Sequence, residues 1–159
     1  MKKVILAEVG LLVLLALVMT LLLTKKDPRS DVTADEVQSA FSGVKGDVAI
    51  DLADELQTRK ELDINPADCD MVVHYFSSTD SMYVYEFVLI RADEASMDSL
   101  HATLEEHVAT KLEAFRGYGE LQTELLEKAI IKQYGNYICL IITDEPEVWL
   151  NAVKALLEV

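Results

Sequence analysis

The 159-residue chain reads as an α+β protein, with an N-terminal transmembrane helix followed by a two-layer domain built on an antiparallel four-stranded sheet packed by helices. Three observations predict this. Residues 4–24 (VILAEVGLLVLLALVMTLLLT) form an apolar run interrupted by one charge, Glu8. Beyond the run stand two pairs of segments rich in β-branched and aromatic residues, each pair joined by a short turn. Between and after those pairs, apolar residues recur every three or four positions, the period of a helix with one buried face.

As a helix, residues 4–24 extend roughly 31 Å, about the thickness of a bilayer's hydrocarbon core. No small-x-small cleavage site follows and no Cys is available for lipid attachment, so the expected form is an uncleaved signal anchor. Basic residues flank the run on both sides: Lys2 and Lys3 before it, Lys25, Lys26 and Arg29 after it. With the α-amine counted, the positive-inside rule ties. A tail of residues 1–3 ahead of the first span is the usual form of an anchor with its N-terminus in the cytoplasm. The expected location is therefore the cell membrane, single-pass, with the C-terminal domain outside the cytoplasm. Glu8 lies close enough to the start of the span for its carboxylate to reach the interface, and contact with a partner helix is the other reading. Leu14, four residues after Gly10, leaves no small-xxx-small dimer face.

Residues 25–32 are polar and contain Pro28, which marks a linker, and a domain over 33–159 follows. Thr33 with Glu36 forms a capping box, and Val32 with Val37 a hydrophobic staple. Val37, Ala40, Phe41 and Val44 share one helical face, and Gly43 and Gly46 bracket the end. Residues 47–64 hold a short alternation (Val48, Ile50, Leu52) and a possible short helix ending before Asn65-Pro66. Residues 70–77 and 82–91 read as a hairpin with a loop at Ser78–Ser81. Residues 94–116 read as a long helix stopped by Gly117 and Gly119. Residues 127–134 and 137–143 form a second hairpin around Gly135-Asn136, where Gly at the first central position suits a type II′ turn. Asp144 is expected to cap a final helix with Pro146 and Glu147 in its first turn, burying Val148, Trp149, Ala152, Val153, Leu156 and Leu157.

The core is thus ββαββα. Residues 82–90 and 137–143 are apolar on both faces, with Glu86 the one exception, so they belong in the centre. Residues 127–134 carry Lys128, Lys132 and Gln133, which suits an edge. The expected strand order is 1-2-4-3, with the long and final helices covering one face.

Two stretches carry a family resemblance: residues 61–77 (ELDINPADCDMVVHYFS) and 113–147 (EAFRGYGELQTELLEKAIIKQYGNYICLIITDEPE). The Phe115-Arg116-Gly117-Tyr118 helix end, the strand leading to Tyr134, and Gly135-Asn136-Tyr137 before an apolar strand and an acidic turn resemble the uncharacterised family of Gram-positive, Clostridia-like bacteria catalogued as domain of unknown function 4358. The resemblance spans roughly residues 33–159. It implies an extracytoplasmic, membrane-attached domain and brings no catalytic residues. Many of its members look like lipoproteins, whereas this chain lacks the lipid-bearing Cys.

Charge limits the partners. The whole chain carries −14, divided as +3 over residues 1–29 and −17 over residues 30–159. A domain this acidic repels phosphate backbones, so nucleic acid is excluded as a partner. His101 and His107 lie six residues apart, too far round a helix to share a metal face, and His101 with Glu105 at i, i+4 is a weak ligand pair. Asp63, Asn65, Asp68 and Asp70 offer oxygens without the Gly and terminal Glu of a calcium loop. No carboxylate pair, nucleophile elbow or phosphate loop stands out, so neither enzyme activity nor a cofactor is expected. Cys69 and Cys139 either pair or remain as two free, mostly buried thiols. The remaining candidates are aromatic: Tyr83, Tyr85, Phe87, Tyr118 and Tyr137, read either as core or as an interaction patch rimmed by acids. The expected function is a non-catalytic protein-interaction module of the cell envelope, held to the membrane by residues 4–24 and docking an envelope protein. A small-molecule or cation-binding sensory domain is the alternative. No oligomeric state follows from the sequence.

Overall fold

The computed structural model describes residues 10, 12–16, 27–46, 48–77, 82–117 and 119–159. Gly10 and residues 12–16 are helical, and among the described residues no helix is long and apolar enough to cross a membrane. Most of the expected span at residues 4–24 lies outside the described residues, as does the loop at residues 78–81.

Helix α1 (Ala34–Lys45) starts at the expected capping box: the Glu36 N–H donates to Thr33 Oγ1 at 3.3 Å, and the Thr33 N–H donates to Glu36 Oε2 at 2.9 Å. Val32 and Val37, the staple pair, are both buried. Strand β1 (Asp51–Leu52) follows, then α2 (Glu55–Leu62), opened by a second capping box in which Asp54 accepts from the Gln57 N–H at 2.7 Å. Strands β2 (Met71–Phe76) and β3 (Glu86–Arg91) form the first hairpin. The long helix α3 (Met97–Phe115) precedes a helix that was not expected, α4 (Glu120–Glu127). Strands β4 (Ile130–Tyr134) and β5 (Tyr137–Ile142) and helix α5 (Pro146–Leu157) complete the chain. In the β4–β5 turn Gly135 has φ +56°, and Asn136 is not among the residues with positive φ, as a type II′ turn requires.

The antiparallel sheet has five strands, ordered β1-β2-β3-β5-β4. The four strands read from sequence stand in the order derived for them, and the count of four is corrected by β1, which adds two residues beside Tyr75 and Phe76 on the outer edge of β2. Two residues carry too little alternation to announce a strand.

The expected two layers are also corrected, because the sheet is covered on both faces. Phe87, Leu89, Tyr137, Cys139 and Ile141 face α1 and α5, joining Phe41, Trp149 and Val153. Val88, Ile90, Ile138, Leu140 and Ile142 face α3 and α4, joining Leu104, Leu125 and Leu126. The long and final helices therefore lie on opposite faces. A helical period identifies a buried stripe but not which sheet face receives it. In α5 the N-cap is Glu145, without a side-chain cap bond, because Pro146 takes the first helical position. Val148 is exposed and Leu150 buried in its place.

Residues 28–32 lie against the domain as a strap. The Arg29 N–H donates to the Leu157 carbonyl at 3.1 Å, at the C-terminal end of α5. Arg91 Nη1 donates to the carbonyls of Ser30 and Val32, both at 2.9 Å. Pro28 packs on the β4–β5 turn so closely that a Cβ on Gly135 would fall 2.9 Å from its Cγ.

Trp149 stands 5.6 Å, centroid to centroid, from both Phe41 and Phe87, tying α5 to α1 and to the sheet. Trp149→Ala is expected to lower stability by about 3–5 kcal/mol, measured by urea denaturation; a wild-type unfolding curve would refute this packing.

Candidate functional site

The second residue face of β3 is apolar except at its first position. Glu86 lies on that face with its carboxylate fully buried, beside Val88 and Ile90. Because a buried carboxylate without partners is unstable, each of its oxygens must meet a donor. Two elements supply them. The pairing of β2 with β3 sets His74 opposite Val88, diagonal to Glu86 on the same face, and His74 Nε2 lies 3.0 Å from Glu86 Oε1. Helix α3 crosses this face and, one turn apart, presents His107 Nε2 at 2.8 Å and Lys111 Nζ at 2.7 Å from Oε2.

An ionised carboxylate only accepts, so both imidazoles present Nε2–H to it. The other nitrogen of His74 lies 3.3 Å from the buried Thr58 Oγ1 of α2, so α2 joins the network. Burial by itself pushes the Glu86 carboxyl upward. The hydrogen bonds from His107 and His74 and the Lys111 charge more than reverse this, holding it well below its ordinary value of 4.5.

Above this network, α2 and α3 enclose a cleft of about 270 Å3 with His107 in its wall. The His107 side chain is 9% exposed, and its Nδ1 makes no hydrogen bond among the described residues.

The aromatic candidates separate. Phe87 and Tyr137 are core: Phe87 stacks on Phe41 at 4.0 Å, and both side chains are fully covered. Their assignment to an interaction patch is corrected, because they lie beneath α1 and α5 on the inner face of the central strands. Tyr118 lies outside the described residues. Tyr83 is 51% exposed and stacks on the half-buried Tyr85 at 6.2 Å. With Val48 and Ala49 the two tyrosines line a shallow depression of about 360 Å3. Burial, and then Asp144, push the Tyr85 phenol upward. Met82 is also exposed, and its carbonyl accepts from Gln122 of α4 at 2.8 Å.

The other candidates stay apart. Cys139 packs on the α1–α5 side of the sheet and Cys69 on the α3 side, and both thiols are free. Burial pushes Cys139 up to about 12. Asn65 is bonded to Arg59 and Asp68, and His101 pairs with Glu105 at 3.5 Å. Among the described residues no group of three or more His, Cys, Asp or Glu can hold a metal ion.

Sequence reasoning singled out Glu86 as an exception and weighed His107 only as a metal ligand, so it missed the network. The available signal was a lone charge on a strand apolar on both faces, which demands buried partners.

A family model described as Domain of unknown function (DUF4358) matches residues 49–143. That stretch contains all five strands and every member of the Glu86 network, while the strap, α1 and α5 fall outside it. No curated protein and no solved structure matches the chain.

Replacing Glu86 by Gln leaves three donors without their carboxylate and is expected to lower stability by about 3–5 kcal/mol near pH 7. Because the folded-state pKa is depressed, the carboxylate's contribution is complete above 4.5 and is lost as pH falls from there through the folded value. Urea titrations of wild type and Glu86→Gln should therefore converge on acidification; a constant gap from pH 7 to pH 3 would show that the ionised carboxylate is not the stabilising form.

Proposed function

The chain belongs to the family described as Domain of unknown function (DUF4358), and from that premise we propose that it is a membrane-anchored interaction module, held outside the cytoplasm and presenting its Tyr83–Tyr85 ledge to an envelope protein. The observation that carries this reading is the placement of the two ends of β3. Arg91, at one end, holds the strap at Ser30 and Val32, directly after the apolar run of residues 4–24. Tyr83 and Tyr85 lead into Glu86 at the other end, and the six residues between span roughly 20 Å. An anchor preceding the strap would set the β4–β5 turn toward the bilayer and the ledge away from it.

Exposed Asp144 lies close enough to Tyr85 to act on its phenol, on a domain of strongly negative charge. The complement of the ledge is an apolar protein surface with a basic rim. The expected contact is small, with Tyr83 as its aromatic anchor.

A reporter active only outside the cytoplasm, fused after Val159, should be active. A photo-crosslinking side chain at position 83 should capture one discrete protein in native membranes, and the same group at position 136 should capture lipid. An inactive reporter would overturn the topology. Lipid capture at 83, or no protein captured there above background, would overturn the docking assignment.

A further inference from the structure

The Glu86 carboxylate brings one negative charge into the core, and more than one neighbour can balance it. Lys111 Nζ meets Oε2 at 2.7 Å, and His107 Nε2 meets the same oxygen at 2.8 Å. A proton on the His107 ring therefore sets two cations against one wholly buried anion, and uncompensated buried charge is costly. Glu86 does not take that proton first, because its donors hold it well below its ordinary range. One cation must leave, and exposure decides which. The His107 ring is 9% exposed on a short stem, whereas the Lys111 side chain is 24% exposed and its flexible four-carbon stem can carry the ammonium into water.

The groups facing the ring favour its charged form. Helix α2 brings Lys60, Glu61 and Asp63 to the cleft beside His107, and α3 brings Glu106, so three carboxylates stand against one ammonium. From β2 comes His74, bonded to the other oxygen of Glu86, with Thr58 of α2 at its far nitrogen. Strands β4 and β5 and helix α4 contribute Ile131, Ile142 and Leu125 to this side of the sheet, and none of these titrates.

We propose that the network exchanges a proton for a lysine: in mild acid His107 takes up a proton, the imidazolium replaces Lys111 as the counter-ion of Glu86, and the Lys111 ammonium is released to the surface of α3. The ring keeps its Nε2–H on Oε2, so α3 stays bonded to the sheet while the surface beside the cleft gains a free positive charge. The carboxylate is never left without a cation.

The test is an NMR titration of the full chain in detergent from pH 8 to pH 5, the interval in which an unperturbed histidine changes its charge. The 15N resonances of the imidazoles and of Lys111 Nζ are followed together. His107 should titrate, and the Lys111 Nζ resonance should move to the position of a free lysine with the same midpoint. Lys111→Met keeps an unbranched stem and removes the competing charge, so it should raise the His107 midpoint by about one pH unit, a tenfold gain in proton affinity. Lys128→Met, which removes a surface ammonium paired with Glu124, should leave that midpoint unchanged. Retained dispersion of the amide spectrum shows that each variant is folded, and the joint titration in the wild type needs no variant. A His107 resonance constant over the interval, or a titration confined to His74, would overturn the proposal. So would a Lys111 resonance that stays fixed while His107 titrates, or an unmoved midpoint in folded Lys111→Met.

Discussion

Burial of the β3–β5 pair on both faces constrains everything around it. Leu89, Ile90, Cys139 and Leu140 are wholly removed from water. Neither face of that pair can be left open, so helices must be found for each. Helices α1 and α5 close one side, and α3 and α4 close the other. The edges follow from the same condition. The strand with a charge at its centre (Lys132), β4, stands at one margin, and the two-residue β1 at the other.

Within that enclosure a carboxylate is tolerated only where its partners are built in. Glu86 sits at the end of β3, where β2 and α3 can both reach it. Three donors from two elements replace the water it has lost. Such a set adds little net stability over an apolar replacement of equal volume, but it is intolerant of losing any one member. It also fixes the position of α3 over the sheet, since His107 and Lys111 lie one turn apart and both must meet the same oxygen. The cleft beside His107 is thus a product of the packing rather than an addition to it.

Much of the architecture was legible in the sequence, and the parts that were not have identifiable causes. Thr33 with Glu36, and Gly135 in its turn, act through contacts within a few residues, so their outcome can be read locally. The central position of β3 and β5 was legible because two apolar faces leave few alternatives. The assignment of α3 and α5 to opposite faces was not, since an amphipathic stripe is indifferent to which apolar surface it meets. Helix α4 was missed because residues 120–127 are mostly polar and follow two glycines. Of the aromatic candidates, Tyr83 remains at the surface, three residues ahead of the start of β3, while Phe87 within the strand is covered by α1. Alternation along a strand cannot show where the overlying helix stops. The partners of Glu86 come from 12 to 25 residues away along the chain and depend on register, which composition does not encode.

The grip of Arg91 on the strap has a mechanical consequence. If the ledge is held by a partner as proposed, a pull applied through residues 28–32 is shared between the backbone leading into α1 and the two hydrogen bonds from Arg91 to the end of β3, and the share that enters β3 runs along the strand axis toward Tyr85. The ladders to β2 and β5, six residue pairs on each side, would then carry tension as shear, with all rungs resisting together instead of parting one at a time. Strand β3 is in that sense a tie rod, and its double cover of helices keeps water from the bonds under strain.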